Sequence, residues 1–278
     1  MATRKPITKK GATGKALRPN LSIGSDFAKP QVALIELMYK DIKRELTKVF
    51  KQTDFTSAMD ASTTSQARII LNYLLRKWSK RFDDIAKSAA ERMVSRTLRN
   101  SAVTLNLSLK DVSEDFKIDT SFSDVRLQEV IKASTQEAAN LIKVIPERFI
   151  NDVQGQVMRS ITTGKGLADL TPYLTKMYHG NVKRATNTAL DQTRKAYQSI
   201  NTTRLKALGV KSFIWIHSGG GKVPRQEHVR MSGKEYRFDD PPVIGTMYGS
   251  EVRGLPGDLP NCRCICKPVI NFDLEEET

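Results

Sequence analysis

At Gly209 this chain of 278 residues changes its periodicity, and that break constrains the fold more than any other feature. Before it, apolar residues recur at helical spacing over long stretches, the mark of helices that bury one face. After it, Val210, Phe213, Ile214, Trp215 and Ile216 form a short apolar run of the kind a buried strand shows. The sequence then becomes rich in glycine and proline, from Gly219, Gly220 and Gly221 through Pro241 and Pro242 to Pro256, Gly257 and Pro260. A segment of about sixty residues with so few apolar positions needs a staple, a metal or a partner surface to hold its shape. The expected fold is mostly α in the N-terminal and middle regions, with a small loop-rich α+β module at the C-terminus.

Five regions follow from the same pattern: a basic disordered tail over 1–29, a helical N-terminal region over 30–123, a helical middle region over 124–208, the α+β module over 209–270 and an acidic tail over 271–278. In the first twenty residues Arg4, Lys5, Lys9, Lys10, Lys15 and Arg18 stand without one acidic residue, and Pro6, Gly11, Gly14 and Pro19 oppose a helix. Such a stretch either solubilises the chain or tethers it to DNA or an acidic protein surface, so these six residues are the candidate nucleic-acid contacts. Val32, Ile35, Met38, Ile42, Leu46 and Val49 predict a first helix just after Pro30. Ile70, Leu74, Trp78, Phe82, Ile85, Ala89 and Met93 predict a second, from about Gln66 to Asn100. Residues 101–123 show no clear period and are expected to form a linker or short strand pair. Helical spacing returns from Asp124, Pro146 kinks that segment or starts a new helix, another helix starts near Leu167, and a last one spans Val182 to Leu208.

Charge narrows the partners. Lys and Arg number 45 against 30 Asp and Glu, a net +15, and residues 67–99 alone carry nine basic and three acidic side chains. This balance points to a polyanionic or acidic neighbour. No run of apolar residues is long enough for a membrane span, and the first residues lack the apolar core of a secretory signal. All three cysteines fall within five residues, which excludes a long-range disulfide framework and makes a reducing compartment the expected site of folding.

The chemistry-bearing residues concentrate at Cys262-Arg263-Cys264-Ile265-Cys266. On an extended strand, residues two apart project to one side, so Cys262, Cys264 and Cys266 are expected to face one point. With His228 as nitrogen donor they suit the tetrahedral sulfur and nitrogen ligation of zinc. His217 is a second available imidazole, and reduced thiols in a small core are the competing reading. A Cys264–His228–Asp239 triad can be drawn, but nothing in the spacing requires it. Ser218 to Lys222 and Thr163 to Gly166 both lack the full phosphate-loop pattern and read as turns. No paired carboxylates stand in a nuclease-like motif.

Ala189-Leu190-Asp191-Gln192-Thr193, then Asp239-Asp240-Pro241-Pro242, then Asn261-Cys262-Arg263-Cys264 stand in one order within roughly residues 145–270, and this order resembles the phage Mu F-like family of minor head, or head morphogenesis, proteins of tailed bacteriophages. The likeness begins with Ala189-Leu190-Asp191-Gln192-Thr193, similar to the family's A-R-D-Q-T run, and continues through Leu208-Gly209-Val210 to an aromatic strand ending in Trp215. Val223 to His228, with Arg225, looks like the family's R-V-R-x-x-H segment. Gly233, Phe238, Asp239, Asp240, Pro241 and Pro242 match its G-x-x-F-x-W-D-D-P-P run. Pro256-Gly257 with Asn261-Cys262-Arg263-Cys264 matches P-G-x-x-x-N-C-R-C. Two departures stand out: Gly220-Gly221-Lys222 replaces an Asp-Glu pair, and Cys266 adds a third thiol. The first 120 residues carry no resemblance of this kind.

The resemblance implies a non-enzymatic virion protein, assembled in the host cytoplasm into the prohead near the portal and held in the capsid interior. It would support capsid assembly, DNA packaging or delivery, with the portal protein, the major capsid protein and packaged double-stranded DNA as partners and no membrane. Asn261, Cys262, Arg263, Cys264 and His228 would hold the module together, with zinc as the one candidate cofactor. The alternatives are a free DNA-binding protein and an ADP-ribosyltransferase-like enzyme. The second is raised by toxins with related modules and by Glu275-Glu276-Glu277.

Overall fold

The computed structural model describes residues 12–53, 62–110, 124–219, 223–247 and 249–270. The chain forms two compact units, and neither is continuous in sequence. A helical unit takes Leu21–Val94 and Lys132–Gln192, and a mixed unit takes Met1–Asn20, Ser95–Ile131 and Thr193–Thr278. The linear succession of regions expected from composition is therefore replaced by an interleaved one.

The helical unit is built from α1 (Ser22–Thr53), the first two-thirds of α2 (Thr63–Lys110), the end of α3 (Val125–Lys143), α4 (Ile145–Thr162) and the first part of α5 (Gly166–Ala207). Ile35, Met38, Ile42 and Leu46 of α1, and Leu71, Leu74, Trp78 and Phe82 of α2, are all buried. Their spacing is the helical period, so the sequence pattern and the core coincide. The helix expected after Pro30 starts eight residues earlier, at Ser22. Ile23, Phe27 and Ala28 are buried and continue the same stripe N-terminal to the proline, so packing overrides the break. Around it, the Gln31 side-chain amide donates to the Phe27 carbonyl (2.9 Å). The basic-tail reading thus fails for residues 12–29, while Arg4, Lys5, Lys9 and Lys10 lie outside the described residues.

Pro146 begins α4, sitting in its first turn where a missing N–H costs nothing. The two helices expected between Leu167 and Leu208 are one, α5. Buried Leu170, Leu174, Asn181, Ala185 and Ala189 keep the period unbroken, and Asn181 Nδ2 bonds the Met177 carbonyl (2.8 Å) within the helix. Between α1 and α2, buried Asp41 accepts from Lys77 Nζ (2.5 Å) and from the Arg44 guanidinium. Burial alone would raise the Asp41 pKa; the two cations outweigh it and hold the carboxyl below its ordinary value.

The mixed unit carries a four-stranded antiparallel sheet in the order β1-β6-β2-β3 and a separate β4-β5 hairpin. The strands are β1 (Ala12–Thr13), β2 (Ser212–Ile216), β3 (Glu235–Arg237), β4 (Val243–Met247), β5 (Ser250–Arg253) and β6 (Ile265–Ile270), with the short helix α6 (Gln226–Met231) between β2 and β3. β2 and β6 pair over five positions, with Trp215 opposite Cys266. The strands cover a core that includes Leu105 and Leu109 of α2 and Tyr197 and Leu205 of α5. Beneath it runs a buried polar chain: the Arg204 guanidinium donates to Ser101 Oγ (2.9 Å), and Ser101 donates to Asn201 Oδ1 (2.8 Å).

Residues 101–110, expected as linker or strand, are the last turns of α2. The alternation of Val103, Leu105, Leu107 and Leu109 that suggested a strand is two faces of a helix: Leu105 and Leu109 are buried, whereas Val103 and Leu107 are 57% and 56% exposed. Residues 111–123 lie outside the described residues, as do 220–222 and the acidic tail 271–278 with Glu275, Glu276 and Glu277. The N-terminal segment is tied to the sheet. Gly14 N–H donates to the Pro268 carbonyl (3.0 Å), Leu17 N–H to the Cys266 carbonyl (2.9 Å), and Ser108 Oγ to the Lys15 carbonyl (2.6 Å). Among the described residues no helix is long and apolar enough to cross a membrane.

Candidate functional site

Three short segments of the mixed unit converge on one point. α6 supplies His228, the turn before β6 supplies Cys262 and Cys264, and the first half of β4 supplies the Ile244 carbonyl. The turn is shaped locally: Asp258 Oδ2 accepts from the Leu255 N–H (2.7 Å), Cys262 N–H donates to the Leu259 carbonyl (3.0 Å), and Asn261 takes a left-handed backbone with φ 60°. Asparagine tolerates that conformation better than most residues. Arg225 Nη2, just ahead of α6, donates to the Pro260 carbonyl (3.0 Å) and ties the helix to the turn.

His228 Nδ1 lies 3.5 Å from Cys262 Sγ and 3.6 Å from Cys264 Sγ, and the three ligand atoms all fall within 4.8 Å of one another. All three side chains are buried. His228 Nε2 is 3.0 Å from the Ile244 carbonyl oxygen, which has no proton to give, so Nε2 carries the hydrogen and donates it there, and Nδ1 faces the two sulfur atoms. The Trp215 ring meets His228 edge-on at 5.1 Å. The Trp215 indole N–H is buried with no hydrogen-bond partner of normal geometry among the described residues, and it lies beside the Cys264 sulfur, where it favours the thiolate.

The two thiols titrate as a pair. One proton leaves below the ordinary thiol range, because the other thiol and the backbone N–H groups of Cys264 and Gly257 donate to the resulting Cys262 thiolate against the cost of burial. The other is held well above that range by its bond to that sulfur, by burial and by the neighbouring charge. The site faces a cleft of about 350 Å³ whose other walls include His217, Arg225, Asn261 and Arg263.

Cys266 does not join this group. Extended alternation begins only at Ile265, where β6 starts, so the face shared by Cys262 and Cys264 is not continued by the strand. Cys266 points instead to α5, where Gln198 Nε2 donates to its sulfur (3.3 Å), and burial pushes its pKa up to about 11. Gln198 and the Ile244 carbonyl carried no motif and were not legible in advance. The triad is not assembled either, since Asp239 is held by Arg237 through two bonds (2.8 and 2.6 Å) and His228 turns its second nitrogen to Ile244.

The remaining motif residues hold the module. Trp215 is fully buried, and its carbonyl accepts from the N–H of Gly233, whose φ of 84° closes the turn into β3. Arg253 Nη1 bridges Asp240 (2.7 Å) and the Pro241 carbonyl (3.0 Å). Arg263 is exposed on the cleft wall. Asp191 and Gln192 are buried in the helical unit, where Gln192 Nε2 donates to Glu137 (3.0 Å). Lys15 and Arg18 expose their side chains, but from a backbone bound to the sheet rather than from a free tail.

Residues 151–267 match the family model described as Phage Mu protein F like protein. An uncharacterized protein of Haemophilus influenzae is 26% identical over 243 residues, covering 85% of this chain and 51% of its own length. The chain thus spans about half the length of that curated relative. No solved structure matches. His228, Cys262, Cys264 and the walls of the cleft all lie inside the matched segment, so the site falls where the chain is similar to the Phage Mu protein F-like family.

Proposed function

We propose that this protein is a minor head protein of a tailed phage, built into the prohead near the portal, where it supports capsid assembly and the packaging or delivery of DNA. The family match over residues 151–267 carries this reading. Its partners are then the portal, the major capsid protein and the packaged duplex, and its place is the capsid interior. The charge supports this: the chain carries a net +15, and α2 exposes Arg68, Arg76, Lys80, Lys87, Arg92 and Arg99. Such a surface suits an acidic protein face or phosphate backbone. The role is structural rather than catalytic, and in support of this the carboxylate that would have to orient His228 is engaged by Arg237.

Counting this chain by mass spectrometry in purified virions and in DNA-free proheads tests the reading. The expected result is the same low copy number in both. Absence from both particles overturns it, and a steep fall of DNA affinity with salt in the isolated protein would then favour a free DNA-binding protein.

A further inference from the structure

We propose that His228, Cys262 and Cys264 bind one zinc ion, through Nδ1 and two thiolates, with a fourth coordination position facing the cleft. The reading goes beyond a role in the phage head and does not depend on it.

The distances carry the first part of the argument. With zinc–sulfur bonds of about 2.3 Å and zinc–nitrogen bonds of about 2.0 Å, a tetrahedral centre sets its sulfur and nitrogen ligands about 3.5 Å apart. The two Nδ1–Sγ separations here are 3.5 and 3.6 Å. Ordinary hydrogen bonding accounts for only one of them, because a single ring nitrogen makes one such bond while two sulfur atoms stand at that distance from it. A metal at the common vertex uses both.

The surroundings match what a ligating histidine needs. The second ring nitrogen donates to the Ile244 carbonyl, which fixes the tautomer and aims Nδ1 inward, the arrangement that orients histidines on metals. The Trp215 N–H, short of a good partner, gains one in a metal-bound Cys264 thiolate. Charge closes as well: binding releases to solvent whatever thiol proton the pair still holds, and a divalent ion with two thiolates and a neutral imidazole is a neutral unit, which burial tolerates.

Among the described residues no fourth histidine, cysteine or carboxylate joins the group. Cys266 is committed to Gln198. The remaining vertex therefore opens on the cleft between His217, Arg225 and Arg263, where water or an incoming donor completes the shell.

The test uses the full-length chain purified under reducing conditions. Zinc content is measured by plasma mass spectrometry, and the stripped protein is titrated with zinc ion against a chromogenic chelator. About one zinc per chain is expected, held equally by Cys266→Ser and at least about 100-fold more weakly by the Cys262→Ser, Cys264→Ser double variant. Because that variant can misfold, cobalt(II) is also added to folded wild type. Its near-ultraviolet charge-transfer band should have the strength of two thiolates, unchanged in Cys266→Ser, and azide should shift its visible bands. Folded wild type that takes up neither ion overturns the site, and so does a band that falls by about a third in Cys266→Ser, the share of a third thiolate ligand. A cobalt spectrum indifferent to azide overturns the open position.

Discussion

Along α1 and α2 of the helical unit, large side chains from Ile35 to Phe82 are buried at helical spacing, and α4 adds Phe149, Ile150, Val153 and Val157. The C-terminal part of the mixed unit buries Trp215 and Phe213 as well, but beside them it buries a histidine, three thiols and the carboxamide of Gln198. In the first case the favourable free energy is spread over many apolar contacts, each with near equivalents on either side. In the second it is concentrated where a few polar atoms must meet one another, in strands of three to six residues. The helical unit should therefore answer to lost volume and the module to lost partners, and the two responses are separable by experiment.

The largest effect tests the first half. Phe149→Ala removes a fully buried ring from α4 and should cost about 3–5 kcal/mol in urea unfolding, with the zinc stoichiometry of the remaining folded protein unchanged. A cost under about 1 kcal/mol would mean that the helical core collapses around the loss. Zinc removal tests the second half. If the module holds the ion, free zinc at a hundred times its dissociation constant adds about 2.7 kcal/mol. Chelation should then speed amide exchange in α6 and β6 while leaving α1 and α4 unchanged. Equal acceleration in both units would erase the proposed contrast.

The same contrast explains what the sequence made legible. The helical period over α1, α2 and α4 is a local signal repeated many times, so the helices could be anticipated even where their ends shifted. Gly209 was legible too, because a left-handed C-terminal residue with φ 76° strongly favours glycine. β1 gave no signal: its two residues owe their form to β6, with Ala12 opposite Ile270 and Thr13 opposite Val269. Composition offered basic residues, glycines and prolines there and read as a tail. At the site, cysteine spacing announced a thiol cluster and His228 its nitrogen. Whether two thiols or three converge depends on where β6 begins, and the Ile244 carbonyl that aims the ring is a backbone atom any residue could supply.

Acid should loosen the helical unit at an identifiable point. The Asp41 carboxyl has a folded pKa held below its unfolded value, so its contribution is complete above about pH 4 and fades as pH falls through the folded value. Lys77→Met should cost about 1–3 kcal/mol at neutral pH and flatten the acid dependence of urea unfolding. An unaltered acid limb would locate the sensitivity elsewhere. In the mixed unit, Gly14→Ala brings a methyl carbon within 2.9 Å of the Ser108 carbonyl oxygen and 2.6 Å of its hydroxyl. Backbone cannot step aside as a side-chain tip can, so about 1–3 kcal/mol should be lost, read as a lower melting temperature. No change would show that the N-terminal segment adds little to the sheet.

The smallest effect falls on Asn261, and it separates strain from contact. The residue is exposed, so its side chain buries little, yet its φ of 60° lies where a β-branched residue meets its own backbone. Asn261→Gly should hold stability within about 0.5 kcal/mol, whereas Asn261→Val should lose about 1–2 kcal/mol. The turn carries Cys262 on its next residue, so the valine variant should also weaken zinc binding while the glycine variant keeps it. A module held by partners feels a strained backbone one residue away as a displaced ligand. A module held by apolar burial would register the same substitution in stability alone, with metal affinity untouched, and that result would bring the two units under one description.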